Sequence, residues 1–206
     1  MLCRPGERTL LYLKHDPADR AWRERAELVA VHECGHAAVA VGLGQKFMRM
    51  TLRVSADLKE MRGEVTFAGG AITAMYSGEG GPEPPAQARI ASGIAAMAIH
   101  LGGILAVESV LGKAEPLNNN DREHYEEGLA FVESSGGDRA GAIACAEDLA
   151  RQILARWRGP IWQLAKRLLK KGTLRYEECR GVLTLGGAPQ CVLRIETPTL
   201  PGAGPQ

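Results

Sequence analysis

Between Ile90 and Val107 the chain reads IASGIAAMAIHLGGILAV, a run without a single Asp, Glu, Lys or Arg. A segment of this kind has to be removed from water, either inside a protein core or inside a bilayer. Its content favours the core. Much of it is Ala and Gly, His100 falls in the middle, and Gly102 and Gly103 would cost helix propensity while adding little apolar surface for lipid to cover. The expectation is a buried helix over residues 88–111, with no membrane span, around which the rest of the chain must pack.

Asp16, Pro17 and the Ala-, Glu- and Arg-rich turns after them mark the start of another helix, and Gly42 and Gly44 mark its end, so residues 17–42 are predicted helical. The alternation Met50, Leu52, Val54 and the β-rich Glu64-Val65-Thr66-Phe67 then predict two short strands joined by the charged segment Asp57 to Arg62. Ser77 to Ala88 (SGEGGPEPPAQA) is too dense in Gly and Pro for regular structure and is read as a surface loop that either covers a site or merely connects. Further helices are predicted at 121–133 and 138–157. A last pair, WQLAKRLLKK and LRYEECRGVL, is separated by Gly159-Pro160 and again by Gly172-Thr173. The fold class is therefore mainly α, with a small β-sheet or hairpin after the first helix. One domain is expected over 1–184, followed by a Pro/Gly-rich tail over 185–206 with a possible strand at CVLRI.

With 206 residues, 45% of them hydrophobic, there is apolar material for one substantial core. A net charge of +1 gives no basic excess to neutralise phosphates, which argues against a nucleic-acid partner. The five cysteines form no CxxC pair, and the apolar run near the N-terminus is too short for a signal peptide. A reducing, cytoplasmic setting is expected.

Chemistry is concentrated in His32-Glu33-Cys34-Gly35-His36, an HExxH in the middle of the first helix. Residues four apart share a helix face, so both imidazoles can reach one ion with Glu33 beside them. The flanks AELVAV and AAVAVGLG are nearly uncharged, so these polar groups are buried and need partners, which a metal supplies. Zinc held by two His and one further ligand keeps a position for water and lowers its pKa, and Glu33 can act as general base. The bland reading is two surface histidines with a glutamate between them by accident. Cys34, two residues from each His, points to another face and reads as a packing residue.

The third ligand is open on spacing alone. Gly42 stands where a metzincin would place its third His, which excludes that extended motif. Glu108, Asp121, Glu123 and His124 are the downstream candidates. Asp121 follows three asparagines at a helix start, where it reads equally well as a ligand or as a simple cap.

Four blocks in order resemble the peptidase M41 family, the zinc protease domain of FtsH-type AAA proteases. VAVHECGHAAVAVGLG is similar to the family's AxHEAGHAxVA helix, IHLGGILAVESVLG to its LGGRAAEExxFG, NNNDREHYEE to its SNDLxxAT, and WQLAKRLLKKGTLRYEEC to its LAxxLLExETLxxEE. The blocks cover most of residues 26–182, and the first is the most specific. The resemblance implies a largely helical metallopeptidase domain with a β element beside the site. It implies His32, His36 and Asp121 as zinc ligands and Glu33 as catalytic base. It also implies that substrate binds as an extended strand along Gly63, Glu64, Val65, Thr66 and Phe67.

The chain departs from the family at Ile104, where the family has Arg, at Val107, where it has Glu, and at Tyr125-Glu126, where it has Ala-Thr. No GxxxxGK[ST] occurs, Leu111-Gly112-Lys113-Ala114 lacking the upstream Gly and the Ser/Thr, so no ATP is expected to be used. The function expected is ATP-independent zinc-dependent hydrolysis of peptide bonds in flexible peptides or unfolded segments, or in one dedicated protein partner. The alternative is a catalytically inactive zinc-containing module that binds a peptide or protein, favoured by the departures and opposed by the intact Glu33.

Overall fold

A computed structural model of the chain describes residues 17–54, 61–67 and 84–185. Among these residues five helices and three strands succeed one another as α1 (Pro17–Gly42), β1 (Arg49–Val54), β2 (Met61–Thr66), α2 (Ala86–Leu111), α3 (Asn119–Ser134), α4 (Arg139–Lys171), β3 (Thr173–Arg175) and α5 (Tyr176–Leu185). The fold is mainly helical with one small antiparallel sheet of strand order β2-β1-β3.

The uncharged run becomes the central helix. α2 packs against α1, α3 and α4, and Met97, Ala98, Ile99, Ala106 and Val107 are closed off from solvent. By length and hydropathy it is also a helix that could cross a membrane; 61% of its most apolar window is buried against the rest of the protein. α1 lies directly on it. From Ala30 to Ala40 no residue of α1 is exposed, as the near absence of charge in that stretch requires.

The two helices meet backbone to backbone. A methyl group on Gly35 would collide with the carbonyl oxygen of Gly102 and lie 2.6 Å from the Ala106 methyl, and one on Gly102 would lie 2.9 Å from the Gly35 oxygen. Only hydrogen at both positions permits this spacing. The crossing therefore fixes which residues of α1 look onto which residues of α2.

Behind them, α4 runs from Arg139 to Lys171 as one kinked helix, where a break at Gly159-Pro160 was expected. Pro160 cannot donate to the carbonyl one turn earlier, and the backbone yields at Trp157 (φ −116°, ψ 16°) instead of stopping. Leu149, Ile153 and Leu154 before the kink and Ile161, Leu164 and Leu168 after it are all buried, so core packing carries the helix past the proline. Lys171 ends it at Gly172, whose φ of 71° suits glycine.

Thr173, expected in a break, and Leu174 and Arg175, expected to open the last helix, instead form β3, which pairs with β1 through Arg49↔Arg175, Met50↔Leu174 and Thr51↔Thr173. Helix α5 starts after it, at Tyr176. At the other edge β1 pairs with β2 in the register Leu52↔Gly63 and Met50↔Val65; both expected strands are present, but Met61 and Arg62, expected in the connection, belong to β2, and Phe67 lies past its end. Ala86 to Ala88 belong to the first turn of α2 rather than to the preceding loop. Pro84 and Pro85 precede that helix, and Leu185 of the expected tail closes α5; residues 77–83, the Asp16 cap, residues 57–60 and residues 186–206 with CVLRI lie outside the described residues.

Candidate metal centre

Because α1 and α2 touch at Gly35 and Gly102, the histidines flanking Gly35 on α1 come to rest over Gly103, the next residue of α2. A methyl group there would sit 2.6 Å from His32 Cε1 and Nε2 and 2.7 Å from His36 Nε2. The absent side chain leaves the space both imidazoles occupy. Their rings stand edge to face with centroids 4.7 Å apart, and the two Nε2 atoms are 3.0 Å from each other.

The third group arrives from α3. Asn118 is the N-cap of that helix: its Oδ1 accepts the backbone N–H of Asp121 at 2.9 Å, and its Nδ2 donates to Asp121 Oδ2 at 2.6 Å. Asp121 therefore does not cap the helix. It occupies the first turn, pinned at both backbone and carboxylate, with Oδ2 2.9 Å from His32 Nε2 and Oδ1 3.3 Å from His36 Nε2. All three residues are buried.

His32, His36 and Asp121 form a group that could hold a metal ion, one donor atom from each lying within 4.8 Å of the others. The closest donor separations, 2.9 to 3.3 Å, are near the ~3.3 Å edge of a tetrahedron built on bonds of about 2.0 Å. The tautomer is also suitable. His36 Nδ1 lies 2.7 Å from the Ile99 carbonyl oxygen, which can only accept, so Nδ1 carries the proton and Nε2 faces the centre. Two imidazole nitrogens and a carboxylate turned towards one point call for positive charge between them.

These buried groups strongly bias one another's charge. Burial opposes charge on His36, but the hydrogen bond and negative charge of Asp121, helped by Glu33, prevail and raise it to about 9. Burial prevails at His32 and lowers it. Asp121, although burial works against its charge, is held well below the usual carboxylate range by the imidazoles of His100, His32 and His36 gathered around it.

Glu33 shares α1 with His32 and His36 but faces the sheet. Its carboxylate is pressed against Gly63 of β2, so closely that a methyl group at Gly63 would overlap it. Burial raises Glu33 to about 7, against the pull of His36 and with the support of Asp121 and Glu64. Gly63, Glu64, Val65, Thr66 and Phe67 all border the same open cleft, of about 970 Å³, as His32, Glu33, His36 and Asp121. The structure thus brings every residue of the expected site together. Cys34 is fully buried outside the cleft, as a packing residue should be.

The other candidate ligands do not converge. Glu108 is exposed and paired with Arg151 at 3.1 Å, and Glu123 is exposed away from the cleft. His124 borders the cleft but pairs with Glu127 at 3.0 Å. Two residues of the centre had not been singled out: Asn118 and His100, the latter buried on α2 with Nδ1 3.5 Å from Asp121 Oδ1.

No protein-family model matches the chain, and no curated protein matches it either. The geometry of the centre itself therefore bears the weight of the functional reading.

Proposed function

We propose that the protein is a zinc metallopeptidase of the M41 kind, hydrolysing peptide bonds in flexible peptides or unfolded segments. The observation that carries this reading is the convergence of His32, His36 and Asp121, from two helices far apart in sequence, beside a buried Glu33 and in an open cleft bordered by a β-strand. A metal site serving only structure is normally closed by four protein ligands. Here three donors converge and the cleft reaches them.

Zinc, when bound by two imidazoles and a carboxylate, supplies a Lewis acid that lowers the pKa of water and polarises a carbonyl. The chain's own residues do the rest. Glu33 takes a proton on its carboxylate as water attacks the peptide carbon, and returns it to the amine as the C–N bond breaks. Gly63 to Thr66 lie in β2, an outer strand of the sheet, and Phe67 follows it; the main-chain groups of this edge suit an extended backbone laid beside Glu33. Gly63 permits that strand to approach the glutamate, where any side chain would collide. Nothing in this hydrolysis consumes a nucleotide.

The test is to purify the protein, quantify bound zinc, and follow cleavage of unstructured fluorogenic peptides without ATP by wild type and Glu33→Gln. Wild type should cleave and the variant should keep metal while losing about 10²–10⁴ in rate. Equal cleavage by both rejects the mechanism.

A further inference from the structure

Inside the cleft wall, behind the three donors, sits an imidazole that the proposed chemistry does not use. His100 on α2 is 8% exposed, and its Nδ1 is buried without a hydrogen bond among the described residues. Asp121 Oδ1 lies 3.5 Å from it, too long for a good hydrogen bond. The ring is held in place from the other side. It stacks on His124 with centroids 5.0 Å apart and planes tilted by 31°, and His124 is itself tied to Glu127.

The Asp121 carboxylate lies against the two histidine rings, Oδ2 by His32 and Oδ1 by His36. A metal that takes both Nε2 lone pairs removes these partners. One carboxylate oxygen then turns to the ion, and the other needs a donor in a buried place. Asn118 already serves Oδ2 at 2.6 Å. On the Oδ1 side the remaining group within reach is His100, whose Nδ1 lacks a partner in the same place.

Resting on the metal-centre reading, we infer that His100 is a positioning residue, donating from Nδ1–H to the Asp121 carboxylate when the metal is bound and so fixing the orientation of the third ligand. Both deficits, an acceptor losing its partners and a donor never having one, are met by a shift of a few tenths of an ångström. The stack on His124 explains why the ring is already aimed.

The inference separates metal affinity from fold. His100→Phe keeps the aromatic packing and removes the N–H, whereas His100→Asn places an amide N–H about where Nδ1 was. Zinc affinity is measured by competition with a chromophoric chelator, and the melting temperature of the metal-free proteins in parallel. His100→Phe should bind zinc about 10–100-fold more weakly than wild type while melting no lower without metal, and His100→Asn should recover most of the loss. In zinc-loaded wild type, long-range proton–nitrogen spectra should show His100 as the Nδ1–H tautomer, a readout that needs no variant to fold. Wild-type zinc affinity in His100→Phe, or the Nε2–H tautomer in the loaded protein, overturns the inference while leaving the metal centre standing. A wild type that takes up no metal overturns both.

Discussion

His36 donates its Nδ1 proton to the main-chain oxygen of Ile99, 2.7 Å away on the neighbouring helix. One side chain thereby serves both the helix crossing and the metal centre. Replacing it by alanine should remove bound zinc and also delete the hydrogen bond that ties α1 to α2, at a cost of about 0.5–1.5 kcal/mol. Metal analysis together with urea unfolding of metal-free His36→Ala should show both losses, whereas His32→Ala, whose ring makes no such carbonyl bond among the described residues, should show mainly the first.

Gly103 and Gly35 have different duties and should fail differently. A methyl group at Gly103 falls within 2.7 Å of both ligand rings, so Gly103→Ala should displace them and lower metal affinity with the helices still in contact. A methyl group at Gly35 strikes the Gly102 backbone, which cannot swing aside, so Gly35→Ala should destabilise the fold by about 1–3 kcal/mol even without metal. Chelator competition and denaturant titration of the two variants, side by side, separate the effects.

Asn118 has two jobs at the start of α3. Asn118→Ala removes the cap, worth about 1 kcal/mol, and frees the Asp121 carboxylate on the Oδ2 side. Asn118→Ser should restore the capped helix and its stability but leave zinc binding weak, because a hydroxyl is too short to reach the carboxylate as the amide does. Unfolding midpoints and zinc affinities of the two variants check this.

Thiol reactivity should report the packing of α1. Cys34 and Cys179 are buried, and loss of solvent pushes the Cys34 thiol well up and the Cys179 thiol to about 12, so neither should be alkylated in the native state. Cys145 is exposed on α4 and should react under the same conditions. Peptide mapping after brief iodoacetamide treatment distinguishes them, and labelling of native Cys34 would contradict the buried first helix.

Much of this was legible from residue order. The extent of α1 followed from a proline at its start, glycines at its end and an uncharged middle, and its i, i+4 histidines followed from helical periodicity alone. The strand β3 was not legible, because three residues carry no alternation and Thr173 to Arg175 are extended only by virtue of their pairing with β1. Nor was the continuity of α4 across Pro160, where burial on both sides outweighs a local break. At the centre, Asp121 was indistinguishable from a cap until Asn118 was seen in that role. The spacing Asn-x-x-Asp does carry a capping-box signal, but three consecutive asparagines hide which one matters. His100 was visible as the lone polar ring in an uncharged run, yet only the crossing of α2 with α3 places it against Asp121.

Where α1 and α2 cross, residues 32, 35 and 36 on one side interleave with 99, 102 and 103 on the other. Architecture and reactivity are consequently written in the same six letters. Drift that loosens this seam would blunt the chemistry before it unfolds the protein, and anyone wishing to swap the ion or move it would first have to rebuild the joint.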